Sequence, residues 1–362
     1  MTHRKTRRIY DAAIEYEKVY AAWNTVLHTC KNKRGLYKFV LFGQARIAKI
    51  VEELRARKYW PNKYRCFMVF EPKPRLVMSQ SIKDKIVNHF VAREYLIPLL
   101  ERTLVDANVA TRKGKGSAYA HKMVRKYIAQ MMAEKPGKKI YALKMDVSKY
   151  FYTIDHEVLM KKLRRRIKDP DVLEIIRRIV SETNKPYINR MIGRFNKYYC
   201  TAVPFYEQGK GLSIGAMTSQ LLAIFYMSDL DRYMKEEKRC RWYLRYMDDI
   251  LVLGWDKGEL YEIRRVLERE LSELKLRVNP KSAIHNCCAV AGFSFLGYRY
   301  YVSDGRLKAV CLSKTVRRVR RRLRLLGECN YDKYVRSYES YRGYFWSAVP
   351  RCEIEDVVEE RV

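Results

Sequence analysis

Two adjacent carboxylates between two apolar runs constrain this chain more than any other feature. Asp248 and Asp249 end the tetrapeptide 246–249, which is flanked by the apolar segments 243–244 and 250–253. Apolar runs of this kind around a short polar pair predict a β-hairpin. Such a hairpin would carry both acids to its tip, where like charges repel unless a cation or a proton neutralises them. Carboxylate oxygens suit hard cations such as Mg²⁺, so the motif predicts metal-assisted phosphoryl transfer.

Composition and charge narrow the class of protein further. The chain has 362 residues and a hydrophobic content of 48%, enough for a sizeable core and two or three subdomains. Its net charge of +34 exceeds what solubility needs and predicts a polyanionic partner. Nucleic acid is the leading candidate for that partner. An anionic membrane surface is the alternative, although no apolar stretch approaches membrane-spanning length.

The cysteines and the N-terminus predict a cytoplasmic protein. The nine cysteines are odd in number and form no C-x-x-C pair, which argues against a disulfide framework or a zinc site. Reduced thiols are typical of the cytosol. The basic segment 1–8 lacks the apolar stretch of a signal peptide.

Periodicity predicts a mixture of helices and strands. A hairpin is expected from strands at 64–70 and 75–78, and a central strand at 139–147 ends at an acid. Residues 184–212 are expected to be irregular, basic and rich in tyrosine. Amphipathic spacing predicts helices at 9–30, 44–57, 82–101, 148–178, 219–235 and 256–276.

Two basic segments are candidates for contact with a phosphate backbone. Arg112, Lys113 and Lys115 lie in a glycine loop that opens a helix, and its bare backbone suits phosphate. A solvated turn is the alternative, and the spacing of a P-loop is absent. A later helix has an apolar stripe, and its other faces carry Arg317, Arg318, Arg320, Arg321, Arg322 and Arg324. Such a helix could lie along a duplex.

The acidic motif resembles the signature of reverse transcriptases, and residues 146–151 resemble the first palm motif of those polymerases. This resemblance makes Asp146 the third metal ligand, beside Asp248 and Asp249, places Val147 in the metal and nucleotide sites, and makes Phe151 the steric gate. Two Mg²⁺ ions about 3.5–4 Å apart, or Mn²⁺ in their place, would activate the primer hydroxyl and stabilise pyrophosphate. A rigid ring beneath the sugar would exclude a 2′-hydroxyl and select deoxynucleotides.

Other positions match family motifs in the family's order. Arg75 matches the fingers arginine that binds the incoming triphosphate in this family. A planar guanidinium suits such a role, since it can contact phosphate through two hydrogen bonds. Lys73 would assist. Lys281 matches a lysine that is a candidate general acid for pyrophosphate departure, with an ordinary surface lysine as the alternative. The segment 292–298 resembles the primer-grip hairpin, with nucleic-acid contacts expected from Phe295, Leu296 and Gly297.

The resemblance covers roughly residues 40–345 and implies an α+β, right-hand polymerase fold. Such a fold has fingers, a palm with an antiparallel sheet and a short helical thumb. The expected divisions are an N-terminal helical extension at 1–60, fingers at 61–140, a palm at 141–303 with a fingers-side insertion at about 165–212, a thumb at 304–350 and an acidic tail at 351–362.

Residues 211–220 indicate the subgroup. Retroviral and group II intron enzymes have glutamine at the position of Ile214 and proline at that of Gln220. Isoleucine there, with Ser-Gln at the end, resembles the reverse transcriptases of diversity-generating retroelements, although residues 216–217 depart from their commonest form. Position 214 is expected against the nascent base pair, where isoleucine offers no hydrogen bond. The resulting hypothesis is low fidelity, with errors concentrated opposite template adenines.

The resemblance therefore implies an RNA-directed DNA polymerase that copies a dedicated, structured template RNA into mutated cDNA for targeted diversification (mutagenic retrohoming). It also implies a small, basic, helical accessory protein that forms a pentamer, and a bacterial or phage origin. One alternative is an antiphage-defence reverse transcriptase. Another is a non-catalytic RNA-binding protein on a polymerase scaffold. A group II intron maturase is disfavoured, because little chain follows the expected thumb.

Overall fold

The computed structural model describes residues 9–30, 33–71 and 73–359. The basic segment 1–8 and the last residues of the acidic tail, 360–362, lie outside the described residues. The strands are β1 (Arg65–Val69), β2 (Arg75–Ser79), β3 (Tyr141–Asp146), β4 (Tyr243–Tyr246), β5 (Asp249–Gly254), β6 (Ala283–Asn286), β7 (Phe293–Phe295), β8 (Tyr298–Ser303) and β9 (Arg306–Cys311).

Helices account for much of the remaining described chain. They are α1 (Ile9–Ala13), α2 (Tyr16–Thr29), α3 (Lys33–Val40), α4 (Gly43–Arg55), α5 (Ile82–Val91), α6 (Ile97–Leu100), α7 (Ser117–Glu134), α8 (Tyr150–Thr153), α9 (His156–Arg166), α10 (Pro170–Ser181), α11 (Pro186–Tyr199), α12 (Met217–Tyr226), α13 (Ser228–Arg232), α14 (Lys257–Glu273), α15 (Ser313–Cys329), α16 (Tyr331–Phe345) and α17 (Ile354–Val358). Two π-helical segments, Ala92–Leu96 and Tyr233–Glu237, and two 3-10 turns, Glu101–Thr103 and Glu182–Asn184, interrupt or extend them.

The chain divides into two compact units. The first unit contains the residues up to Val105, together with Ser148–Arg232 and Leu271–Arg277. In it, β1 and β2 form an antiparallel hairpin, and α2 packs on α4 and α5. One core cluster of this unit joins the hairpin to α11 and the segment that follows that helix, through Tyr64, Leu76, Met78, Ile188, Ile192, Val203 and Tyr206.

The second unit contains Asp106–Val147, Tyr233–Glu270 and the residues from Val278 onward. Its main sheet is antiparallel in the order β4-β5-β3-β6, and a second antiparallel sheet has the order β7-β8-β9. Buried residues of α7, of β3 to β5 and of the second sheet share one core. A separate cluster joins α15, α16 and α17. The predicted α+β class with antiparallel sheets is confirmed.

Three of the predicted helices are divided, and the one expected at 219–235 breaks at Met227 between α12 and α13. The helix expected at 9–30 breaks at Glu15, whose backbone is extended. The helical pattern expected at 148–178 becomes three helices, because two aspartates cap new N-termini. Asp155 accepts a hydrogen bond from the backbone NH of Val158 at 3.0 Å, and Asp169 caps α10 just before Pro170. Aspartate at an N-cap stabilises a helix start in this way.

The expectation that residues 184–212 are irregular is wrong for half of that segment. Residues Pro186–Tyr199 form the regular helix α11. Proline suits the first turn of a helix, and Ile188 and Ile192, four places apart, are buried on one side of α11. The tertiary contacts of these two isoleucines therefore decide the segment's structure. In the part of the chain that the structure describes, no helix is both long and apolar enough to span a bilayer.

Candidate active site

The predicted acidic hairpin is present in the second unit. Strands β4 and β5 pair with Tyr246 opposite Asp249, which leaves Met247 and Asp248 at the turn. Met247 has a φ of 56°, in the left-handed region that few non-glycine residues adopt. Arg245 stabilises the turn. This side chain is fully buried, and its Nη1 donates a hydrogen bond to the main-chain oxygen of Met247 at 2.7 Å.

The third acid of the motif lies on the neighbouring strand. Asp146 ends β3, where it is paired with Asp249 of β5. Its carboxylate Oδ2 accepts a hydrogen bond from Nδ2 of Asn279 at 2.8 Å, and its backbone oxygen accepts one from the NH of Asn279 at 2.7 Å. Strand register therefore brings together two acids that are far apart in the sequence, and Asn279 fixes the orientation of one of them.

The three carboxylates strongly influence one another. Burial, followed by the negative charges of Asp249 and Asp146, raises the pKa of Asp248 to about 7. Burial also raises the pKa of Asp249, and Lys144, whose Nζ lies 3.7 Å from Oδ1 of Asp249, opposes that rise. Like charges at close range favour the protonated form. Asp248 therefore carries an electrostatic cost from its burial and from both neighbouring acids.

The donor chemistry of this cluster fits a hard divalent cation. Within residues 9–30, 33–71 and 73–359, no group of three or more His, Cys, Asp or Glu side chains is placed so that it could hold a metal ion. Asn279 and Lys144 instead engage Asp146 and Asp249. Even so, half-buried carboxylates that repel one another are the oxygen ligands that Mg²⁺ neutralises. Asp146, Asp248 and Asp249 are thus the residues that would hold it.

Sequence reasoning missed Arg245 and Asn279. The signal for Arg245 was available, because a single arginine interrupts the apolar residues before the acidic motif. A charged side chain at a core position of a strand requires partners. Asn279 gave no comparable signal, since asparagine before proline is common in turns. Its role follows only from the bridge between Val147 and Val278, which places residue 279 beside β3.

In the first unit, the segment before α12 links two predicted nucleotide-binding elements. The NH of Leu212 donates to the main-chain oxygen of Phe151 at 2.7 Å, and the NH of Met78 donates to that of Ile214 at 3.1 Å. Ile214 is therefore tied to β2, the strand that begins with Arg75. Ile214 and Phe151 are half-buried, whereas Arg75 is exposed. Backbone hydrogen bonds thus connect the segment of Ile214 to Phe151 and to β2, the three places where the sequence predicts nucleotide binding.

A glycine is required at the start of that segment. Gly211 has a φ of 94°, and a Cβ atom at this position would overlap the ring of Tyr206. Its NH donates to the main-chain oxygen of Ile154 at 2.7 Å. Gln220 lies further on, in the first turns of α12, and is half-buried. The conformation that presents Ile214 therefore depends on Gly211.

The remaining predicted residues have less distinctive surroundings. Lys73 and Lys281 are exposed, and Val147 is buried. In the basic glycine loop, Nη1 of Arg112 donates to the main-chain oxygen of Asn108 at 3.1 Å. Nζ of Lys115 forms an ion pair with Asp106 at 2.9 Å. These intramolecular bonds would have to be exchanged for any contact to phosphate, and the role of this loop stays a prediction.

The predicted primer-grip segment forms a tight hairpin in the second unit. Phe295 is buried at the end of β7 and pairs with Tyr298 of β8. Leu296 and Gly297 form the turn with φ values of 45° and 96°. Two positive φ values are typical of a type I′ turn. The main-chain oxygen of Gly297 accepts a hydrogen bond from the hydroxyl of Tyr344 at 2.9 Å, which anchors the turn to α16.

Comparison with known families decides the class of this fold and site. The family described as reverse transcriptase (RNA-dependent DNA polymerase) matches residues 70–300. The chain belongs to the reverse transcriptase family. The match includes Arg75, the three acids, β7 and the turn at Leu296 and Gly297. The enzyme class predicted from the sequence, an RNA-directed DNA polymerase, is that of this family.

Individual relatives of this reverse transcriptase are distant. Protein YkfC of Escherichia coli (strain K12) is 24% identical over 307 residues, which are 73% of this chain and 74% of that protein. A telomerase of Candida albicans, in complex with the TWJ fragment of telomeric RNA, matches with a TM-score of 0.48 and 14% identity, over 82% of this chain and 55% of its own. Apo telomerase of Candida tropicalis, truncated from its C-terminal domain, matches with a TM-score of 0.48 and 12% identity, over 68% of this chain and 55% of its own. The chain spans about half the length of these telomerases.

Proposed function

We propose that this reverse transcriptase copies a dedicated, structured RNA into cDNA with low fidelity at template adenines, as in diversity-generating retroelements. The observation that carries the proposal is Ile214, a branched alkyl side chain at a position where retroviral and group II intron enzymes have a glutamine amide. Its half-buried position and its backbone bond to Met78 support a fixed, functional placement.

The proposed loss of fidelity follows from what isoleucine lacks. An amide at position 214 could donate and accept hydrogen bonds, and a mispaired base would leave such a group unsatisfied. Unpaired polar groups in a dry site cost more than a lost methylene contact. Ile214 contributes only shape, so it imposes a smaller energetic difference between a correct and an incorrect base pair. Adenine as the affected template base is a further part of the proposal.

The polymerisation chemistry is proposed to use the acids of the palm hairpin. Bound divalent ions would supply activation of the primer hydroxyl and stabilisation of the departing pyrophosphate. Asp146, Asp248 and Asp249 would hold them. The primer 3′-hydroxyl would lose its proton to solvent water, and its oxygen would bond to the α-phosphorus as the bond from that phosphorus to the oxygen bridging it to the β-phosphate breaks. Lys281 is the proposed proton donor to the pyrophosphate.

Substrate selection is proposed to depend on residues of the first unit. Arg75, supported by Lys73, would bind the triphosphate through its guanidinium. The ring of Phe151 would exclude a ribose 2′-hydroxyl, and Gln220 would complete the nucleotide site beside Ile214. The proposed partners are the template RNA and a small, basic, helical accessory protein that forms a pentamer.

Primer extension on a defined RNA template tests the proposal. Ile214→Gln is expected to lower misincorporation opposite template adenine about fivefold, since one hydrogen bond is worth about 1 kcal/mol. Ile214→Val, which keeps an aliphatic side chain, should retain the parental error spectrum. An unchanged spectrum in Ile214→Gln would refute the role of this residue. Failure of the parental enzyme to make any cDNA, with its own locus RNA and accessory protein present, would refute the function itself.

A further inference from the structure

An exposed aromatic surface on the first unit has no role in the polymerisation chemistry described above. It consists of Phe70, after β1, with Tyr198, Tyr199 and Phe205, in and after α11; we refer to these four residues as the aromatic platform. The exposed fractions of these side chains are 45% for Phe70, 79% for Tyr198, 42% for Tyr199 and 55% for Phe205. Large side chains exposed together mark a binding surface more often than a chance grouping.

Three rings of the platform, those of Phe70, Tyr198 and Tyr199, are in contact. The centroids of Tyr198 and Tyr199 are 4.7 Å apart at an angle of 87°, and those of Tyr199 and Phe70 are 4.9 Å apart at 71°. Phe205 lies beside α11 at Gly193, at a distance where a Cβ on that residue would make ordinary van der Waals contact with the ring. Edge-to-face contacts of this kind hold aromatic rings in place. The platform is therefore ordered before any partner binds.

Two asparagines of α11 fix the segment that presents Phe205. Asn196 donates from Nδ2 to the main-chain oxygen of Val203 and accepts from the NH of Val203, both at 2.9 Å. Asn189 forms the equivalent pair of bonds with Tyr206, at 2.8 and 2.9 Å. Each asparagine amide thus satisfies both the NH and the main-chain oxygen of one residue in the segment after α11, as a neighbouring strand would. This clamp reduces the ordering cost of binding.

The charge around the platform favours a polyanion. The exposed face of α11 carries Arg190, Arg194 and Lys197 at intervals of three or four residues, and Tyr198 lies on the same face. The sequence of α11 contains no aspartate or glutamate. Aromatic rings interleaved with cations are the arrangement that binds single-stranded nucleic acid, through stacking on bases and attraction to phosphates.

We propose that the aromatic platform and the cationic face of α11 bind a single-stranded segment of RNA. The inference rests on the proposed function, since it gives the template RNA a docking surface outside the nucleotide site. Tyr198 is the principal stacking residue because it is the most exposed ring. Arg194 and Lys197 contact the phosphates on either side of the stacked base.

Fluorescence anisotropy of the full chain with a 5′-labelled oligo(rU) tests this inference. Tyr198→Ala should weaken binding about tenfold, the scale of one lost base stack, and leave the salt dependence unchanged. Tyr198→Phe should retain the parental affinity. Arg194→Gln and Lys197→Gln should each lower the log–log salt slope by about 0.7, the value for one phosphate contact on a single strand.

The matched control is Tyr261→Ala. Tyr261 is 45% exposed on α14, where Nζ of Lys257 lies over its ring, 5.7 Å from the centroid, and covers a face that a base would need, so its removal should not change oligo(rU) affinity. Parental affinity in Tyr198→Ala would overturn the inference. If that variant also no longer captured the accessory protein, the platform would be a docking surface for protein rather than for RNA. Primer extension by the unmodified chain is measured in parallel. Its failure would refute the proposed function, whereas a failure confined to oligo(rU) binding would refute only the role of the platform.

Discussion

The guanidinium of Arg245 donates from Nη1 to the main-chain oxygen of Met247 at 2.7 Å, within the turn that presents Asp248. Arg245 is among the largest fully buried side chains in the described part of the chain. Burying a cation is costly unless hydrogen bonds compensate. The bond therefore links the conformation of the acidic turn to the core of the second unit.

Replacement of Arg245 should loosen this turn. Arg245→Leu removes the donor to the oxygen of Met247, and a lost bond to a charged group costs about 1.5–3 kcal/mol. We expect the free energy of unfolding in urea to fall by that amount. We also expect cDNA synthesis to fall, because the turn that positions Asp248 loses its support. Arg265→Leu, on the exposed surface of α14, is the control. Equal unfolding curves for both variants would contradict the assigned role of Arg245.

Removal of one acidic charge should stabilise the protein without divalent cations. At pH 8 Asp248 is ionised, because its pKa is about 7, and it repels Asp249 and Asp146. A pKa raised from 3.8 to about 7 corresponds to a cost of up to about 4 kcal/mol above pH 7. Asp248→Asn should therefore raise the Tm in EDTA while it abolishes cDNA synthesis.

Addition of Mg²⁺ completes that test. Mg²⁺ should raise the Tm of the unmodified chain, because it neutralises the acids, and should raise that of Asp248→Asn much less. Asp304→Asn, in an exposed turn between β8 and β9, should behave as the unmodified chain. A lower Tm for Asp248→Asn in EDTA would show that the carboxylate is structurally required rather than electrostatically costly.

His121 should make the stability depend on pH. Burial, with a smaller effect of Arg125, lowers the pKa of His121 to about 4, and its Nδ1 lies 2.6 Å from the hydroxyl of Tyr300. The unfolded chain binds a proton near pH 6.5 and the folded chain only near pH 4, so stability falls as the pH falls through that window. The loss amounts to about 3 kcal/mol at its lower end.

His121→Gln isolates this contribution, because glutamine keeps a polar partner for Tyr300 but does not titrate. Urea unfolding between pH 7 and pH 4 should show a weaker decline for the variant than for the unmodified chain. Other buried histidines, such as His156, contribute to both proteins equally. Parallel curves for the two proteins would show that His121 is protonated in the folded state.

Gly211 should be less tolerant of substitution than a nearby glycine. Gly211→Ala introduces a Cβ at a φ of 94° and against the ring of Tyr206. Gly209→Ala is the matched control, since Gly209 also has a positive φ but open space around its Cα. The control should cost about 1 kcal/mol of strain, and Gly211→Ala should cost more and reduce nucleotide incorporation. The free energies of unfolding of the two variants give the comparison.

Much of the candidate site follows from local sequence. The hairpin at Asp248 is specified by apolar runs on both sides of a short polar turn, and β3 is specified by its apolar run ending at Asp146. The turn at Leu296 and Gly297 was expected from its family motif. In each case the decisive interactions lie within a few residues of one another, where periodicity and turn chemistry apply.

Composition misled the prediction for the tyrosine-rich segment 184–212. Pro186 begins α11 there, and Ile188 and Ile192, four places apart, form the side of that helix that packs into a core with β2. Arg112 and Lys115 bond to Asn108 and Asp106, which lie four and nine residues earlier in the chain, and their contact with phosphate stays a prediction. Sequence gives the charge of such residues but not their partners.

The sequence alone determined the chemistry of this protein: three acids in a fixed order, an isoleucine at position 214 and a large excess of positive charge. The tertiary structure decided which groups act on those acids. The register of β3 against β5 places Asp146 opposite Asp249, and burial raises the pKa of Asp248. Register and burial are set by packing between segments far apart in the chain, so no local pattern encodes them.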